Sequence, residues 1–203
     1  MINSYNRIAP YYSFLSKIIY GNQLIKVQTL HFQELKKDGS VLIFGGGDGK
    51  ILPHLFAHCP HLEVHYLDAS DKMIALAQKI NPFEKIYFEH TEELPENGNF
   101  DIIILPFILD IFTKEQIHNL CSKLKDILHP DALILVSDFG KTQNIWQSFL
   151  LKSTILFFRL FTSHPLPYLE DIQATLAQSN LTHLKTSTLS KGFLFSSMWK
   201  LGK

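Results

Sequence analysis

Charge of one sign is what this chain most lacks. Its 19 lysines and arginines are matched by 19 aspartates and glutamates, giving a formal net charge of zero. The two signs are interleaved rather than blocked, so the sequence carries no basic footprint for a nucleic acid. Cysteine is scarce as well. Cys59 and Cys121 fall into no metal or redox spacing and read as reduced, buried thiols of a cytoplasmic protein. No apolar run is fit to span a bilayer: "IIILPFILDIF" is too short, and "IWQSFLLKSTILFFRLF" is interrupted by Lys152 and Arg159. The opening "MINSYNRIAPYY" has no basic stretch followed by an apolar one, so no secretory signal is read. Repeats and low-complexity linkers are missing too, and 203 residues suit one domain over 1–203 with a sizeable core.

Glycine, by contrast, is concentrated in one place. Residues 41 to 49 read "VLIFGGGDG", four glycines in five positions after a buried-strand pattern. The apolar run then resumes as "KILPHLFAHC", so the expected order is strand, tight turn, helix over roughly 49–58. Glycine permits φ values that other residues avoid and lets main-chain N–H groups approach a ligand, with the helix dipole aimed at the same spot. A second strand, "LEVHYLD", ends at Asp68, nineteen residues beyond Gly49. A carboxylate there can accept hydrogen bonds from both hydroxyls of a ribose. No glycine or alanine completes the dehydrogenase pattern G-x-G-x-x-G.

The remaining periodicities alternate. "YYSFLSKIIYGNQLIKVQTLHFQEL" reads as two helices broken at Gly21, and "SDKMIALAQKI" as a helix capped by Ser70 or Asp71. "KIYFEH" and "FDIIILPF" are strands, "TKEQIHNLCSKLKDIL" a helix with a Thr113–Gln116 capping box, and "ALILVSDF" a fifth strand. After a mixed segment, "HLKTSTLS" and "FLFSSMWKL" read as an antiparallel pair joined at Lys191 and Gly192. The expected fold is α/β: a three-layer, doubly wound, mostly parallel sheet ending in an antiparallel strand pair. Its ligand belongs at the carboxyl ends of the central strands. Asp110 and Asp138 stand on that rim as candidate catalytic bases, with helix or turn capping as the plainer alternative.

Taken in order, these stretches resemble the class I S-adenosylmethionine-dependent methyltransferases, over nearly the whole chain. "VLIFGGGDGKIL" is similar to their first motif and "VHYLDASDKMIALAQK" to their second. "FEHTEELPENGNFDIIILPFILDIF" is similar to the adenine strand and strand 4, and "LKDILHPDALILVSDFGK" to the approach to strand 5. "YNRIAPYYSFLSKIIYG" resembles the N-terminal lid of the ubiquinone/menaquinone methyltransferase-like branch. The resemblance implies a Rossmann-like methyltransferase fold with a helical lid over 1–38 and an acceptor-side helical segment over 140–180. It implies S-adenosyl-L-methionine as cofactor, held by Gly45, Gly46 and Gly47 at the methionine part and by Asp68 at the ribose. Ala69 and Met73 would flank the adenine, His90 and Thr91 would meet its polar edge, and Pro106 and Phe107 would lie beside the sulfonium. Three positions depart from the family pattern: Ile43 and His90 where acids are usual, and Ser13 where the lid has aspartate. Glu89 is the alternative acid for His90.

The implied acceptor is a small molecule, apolar in character, such as a quinone, lipid or aromatic compound. Tyr12, Phe107, Trp146 and Phe157 are the candidates to bind it. The aromatic residues of 145–161 are also suited to resting on a membrane surface. Two other readings compete. Aminopropyltransferases also carry "GGGDG", but they need acids at the end of strand 4, where Pro106 and Phe107 stand. A non-catalytic binding protein on the same fold is the other. His54, His58, Cys59 and His61 look metal-like in spacing, yet no acidic ligand completes the set, and no metal is expected.

Overall fold

The computed structural model describes residues 21–81, 85–140 and 170–202. Seven strands build one sheet: β1 (Asp38–Phe44), β2 (His61–Asp68), β3 (Ile86–His90), β4 (Phe100–Pro106), β5 (Leu128–Phe139), β6 (Leu181–Leu189) and β7 (Leu194–Leu201). Their order is β3-β2-β1-β4-β5-β7-β6. The first five run parallel, and β7 pairs antiparallel with both β5 and β6. The doubly wound parallel sheet with a closing antiparallel pair is therefore the observed fold.

Alternation along the central strands divides the core into two layers. Leu42, Phe44, Ile103, Leu105, Ile134 and Val136 face one side, under helix α4 (Lys114–Ile127) and the short helix α5 (Ile172–Ala177). Val41, Ile43, Val64, Tyr66, Ile102 and Ile104 face the other, under helices α2 (Leu52–His58) and α3 (Asp71–Ile80). Ile43, at a position where the resembled family often has an acid, is thus fully buried in an apolar layer. Burial of that kind stabilises by about 25 cal/mol per Å² of apolar surface.

Local signals explain the helix ends. Ser70 caps α3 by accepting a hydrogen bond from the Met73 amide, so the serine rather than Asp71 is the cap. Thr113 and Gln116 form the reciprocal capping box of α4. The second N-terminal helix is α1 (Gln23–Gln28), after Gly21; the first lies outside the described residues, as does 141–169 of the acceptor-side segment. Two boundaries differ from expectation. Helix α2 starts at Leu52 rather than near 49, because Gly49 has φ +76°, which no right-handed helix accepts, and Pro53 occupies the first turn. Strand β5 begins at Leu128, directly after α4, and a register shift between Phe100 and Ile102 absorbs the extra residues opposite it. No helix among the described residues is long and apolar enough to cross a membrane.

The order β2-β1-β4 makes the gap between β1 and β4 the switch point of the winding. From there the chain proceeds outward to β2 and β3 on one side and to β5 on the other. Loops at the carboxyl ends of β1 and β4 diverge there and leave a crevice, the place where sheets of this kind bind ligands.

Candidate active site

The glycine turn follows β1 into that crevice. Gly45, Gly47 and Gly49 have φ of +74°, +67° and +76°, which side-chain-bearing residues adopt only with strain. Each glycine faces something different. A Cβ on Gly45 would lie 2.8 Å from Cδ1 of Ile108, in the loop after β4, and one on Gly49 would lie 2.6 Å from Cβ of Ala77 on α3. A Cβ on Gly47 would meet nothing within 4 Å. Gly45 and Gly49 are therefore glycines of close packing, and Gly47 presents a bare backbone face.

The sequence suggests that the turn offers its N–H groups to a ligand. The structure corrects this, because strand β2 takes them. The amides of Gly45 and Gly46 both donate to the Leu67 carbonyl, at 2.9 and 3.2 Å, and the Gly47 amide donates to Oδ2 of Asp68 at 2.8 Å. An unpaired backbone donor in so enclosed a turn would cost free energy, so the strand alongside supplies the acceptors.

Asp68 is accordingly a clamp on the turn before it is anything else. Its Oδ1 accepts the Ser70 amide at 2.9 Å. Burial raises its pKa, while the Ser70 and Gly47 amides and the charge of His90 pull it back. An ionised carboxylate has roughly four lone-pair sites, and these two amides use two of them. Two acceptor sites remain, one on each oxygen, which is what a vicinal diol needs.

Residues around the adenine expectation gather at the same edge. His90 lies opposite Asp68 in the β2–β3 register, and its Nε2–H donates to the Ala69 carbonyl at 3.0 Å. The Thr91 amide donates to the Asp68 carbonyl, and Thr91 Oγ1 accepts the Glu93 amide. Glu89 pairs with Leu67 and, by strand alternation, points to the opposite face from His90. Met73 is buried in the first turn of α3.

On the other side of the crevice β4 ends at Pro106, which is buried. Phe107 then takes φ +53°, a left-handed turn for a bulky residue, and its amide donates to the Ser137 carbonyl at 2.7 Å. Strain of this kind collects at functional sites. Its ring packs edge-on against Phe139 at 5.1 Å and joins a cluster with Val27, Phe193 and Leu194. Asp138 is fully buried and saturated: Oδ2 accepts the Leu109 and Asp110 amides at 3.1 and 3.2 Å, and Oδ1 accepts the Phe139 amide at 2.8 Å. Asp110 sits above it in a 3-10 turn, with Oδ1 shut off from solvent and without a hydrogen-bond partner. Burial pushes the Asp110 pKa up to about 7. Burial, and then the charge of Asp110, raise that of Asp138 well above the usual range, against the pull of its amides.

The structure thus brings Gly45, Gly46, Gly47, Asp68 and Ile108 together, and separately Phe107, Asp110 and Asp138. Tyr12, Trp146 and Phe157 lie outside the described residues. Ile108 and Tyr66, which touches the turn from below, carry no motif that sequence reasoning singles out. The His54–His61 stretch is occupied internally, His58 Nδ1 donating to the His54 carbonyl at 2.9 Å. Among the described residues no three His, Cys, Asp or Glu side chains group as a metal site.

Residues 42–134 match the family model described as "Methyltransferase domain". Among curated proteins, none matches the sequence. Solved structures share the fold. The DhpI–SAH complex is 14% identical with a TM-score of 0.74, covering 99% of this chain and 95% of that one. A chain from the complex between the Haloferax volcanii Trm112 methyltransferase activator and the putative methyltransferase is 10% identical with a TM-score of 0.74, covering 98% of both. The mitomycin 7-O-methyltransferase MmcR is 14% identical with a TM-score of 0.66; the match covers 90% of this chain but only 55% of MmcR, about half its length. The class follows: the core of this chain is a methyltransferase domain, the domain of an enzyme whose cofactor is S-adenosyl-L-methionine.

Proposed function

We propose that the protein transfers a methyl group from S-adenosyl-L-methionine to a small acceptor of apolar character, a quinone, lipid or aromatic compound. The carrying observation is Asp68: it closes β2 at the switch point, clamps Gly47, and keeps one acceptor site on each carboxylate oxygen. Those two sites suit the ribose hydroxyls. Gly47, bare on its outer face, admits the methionine part alongside Gly45 and Gly46, with Pro106 beyond. Ala69 and Met73 flank the adenine, and His90 and Thr91 take its polar edge.

When bound, the sulfonium supplies an activated methyl group, so the chain itself mainly aligns the acceptor and excludes water. Phe107, with Tyr12, Trp146 and Phe157, forms the apolar acceptor wall, and 1–38 and 140–180 serve as lid and acceptor-side segment of a single domain over 1–203. The N-terminal resemblance supports the ubiquinone/menaquinone-like branch, and the aromatic residues of 145–161 support contact with a membrane surface. Asp110, with a pKa near neutrality and an unpartnered oxygen, is suited to take a proton from a hydroxyl or amine acceptor. Asp138, with its carboxylate committed to three amides, positions Asp110.

The test is a thermal-shift panel. S-adenosylhomocysteine should raise the melting temperature, since a ligand that binds only the folded state stabilises it by mass action, and NAD should not. A shift with NAD and none with the sulfur nucleosides would end the methyltransferase reading.

A further inference from the structure

Beneath the glycine turn lies a phenol that the chemistry described above does not use. Tyr66 is fully buried on β2, two residues before Asp68, with its ring against Phe88 at a centroid distance of 5.2 Å. Its hydroxyl donates to the Gly47 carbonyl at 3.0 Å. The same peptide unit's neighbour, the Gly47 N–H, is the one taken by Asp68. Gly47 is therefore held at both ends by one strand, its N–H by a carboxylate and its C=O by a phenol. The ring also decides what can stand at position 46. A Cβ built on Gly46 would overlap the phenol, only 2.5 Å from its oxygen. Among the glycines of the turn, Gly46 alone has ordinary φ, so the ring below it, and not backbone conformation, requires glycine there.

We infer that Tyr66 is a positioning residue for the cofactor: it sets the height and tilt of the Gly46–Gly47 backbone over which the methionine part lies. This rests on the reading that the turn holds S-adenosylmethionine. Burial, with the charges of Asp68 and Asp48, pushes the phenol's ionisation well above its ordinary range, so it remains a proton donor at every working pH. A hydroxyl in that place acts through geometry alone, touching the backbone and not the ligand.

Calorimetric titration with S-adenosylhomocysteine, alongside melting temperatures without it, tests the inference. Tyr66→Phe keeps the ring and removes only the donor. It should weaken binding about two- to tenfold, the range for one lost hydrogen bond. Gly46→Ala should weaken it more than Tyr66→Phe does, and the double variant Gly46→Ala/Tyr66→Leu, which clears the space, should bind more tightly than Gly46→Ala alone. A purely structural tyrosine would lower the melting temperature of Tyr66→Phe and leave the affinity of the folded protein unchanged; that result overturns the inference. So does a double variant no better than Gly46→Ala. Wild-type protein that fails to bind S-adenosylhomocysteine defeats the cofactor reading first, and the two failures are thereby told apart.

Discussion

The two flanks of the crevice use one device with opposite results. On the β2 flank, Asp68 at the strand's end accepts the amide of Gly47 from the loop after the neighbouring strand β1. On the β5 flank, Asp138 near the strand's end accepts the amides of Leu109 and Asp110 from the loop after its neighbour β4. Each aspartate thus pins the loop that follows the adjacent parallel strand. The difference is saturation. Asp68 is half-buried and keeps acceptor sites unused, whereas Asp138 is fully enclosed and bonds a third amide, that of Phe139. A strand-end carboxylate can bind a ligand only in so far as the loop it pins leaves it lone pairs, and only Asp68 meets that condition.

Removing each carboxylate should separate the two roles. The largest effect is expected for Asp138→Ala, which strands three amides inside the protein. Each hydrogen bond to a charged group contributes about 1.5–3 kcal/mol, and together, being non-additive, their loss should cost about 3–5 kcal/mol of folding stability. Urea unfolding measures it directly. A loss under about 1 kcal/mol would mean that water replaces the carboxylate, and the flank would not be saturated in the sense argued here.

Asp68→Ala comes next and should fall on binding more than on folding. Cofactor affinity should drop by about 1.5–3 kcal/mol, while the apo protein still unfolds cooperatively, because only two partly solvated amides lose their acceptor. Titration of S-adenosylhomocysteine into this variant provides the number. Wild-type affinity would place the ribose elsewhere and remove the contrast between the flanks.

Much of this arrangement was legible in sequence, and the reasons are local. The Thr113–Gln116 box and the Ser70 cap follow from residues three apart, and the strands from apolar runs of the right length. The Gly–Asp68 relation was legible as a pairing of motifs across the β1–α2–β2 unit. Unreadable parts depend on register. That Tyr66 lies under Gly46, and that the turn's amides are consumed by Leu67 and Asp68, both follow from how β1 sits against β2, with Phe44 opposite Leu67. No spacing rule announces it. The committed state of Asp138 depends likewise on the β4–β5 register, with Pro106 opposite Ser137. The early start of α2 was misjudged because an apolar pattern does not reveal the φ of Gly49.

The smallest effect per step is one of pH, and it sharpens the β5 flank. Asp110 carries a folded-state pKa of about 7 against an ordinary 3.8, and Asp138 is shifted in the same direction. Between those limits the native protein holds more protons than the unfolded chain. The stabilising contribution is therefore complete below about pH 4 and is lost as pH rises through the folded-state value. The slope is at most about 1.4 kcal/mol per pH unit for each proton retained. Asp110→Asn removes one of the two titrating groups and the charge that raises the other. Its stability should therefore fall less steeply between acid and neutral pH, and the variant should match or exceed the wild type above neutrality. Chemical unfolding at a series of pH values, compared between the two proteins, reads the difference. Parallel curves would show that Asp110 ionises freely in the folded protein, and its oxygen would then be neither enclosed nor poised to take an acceptor's proton.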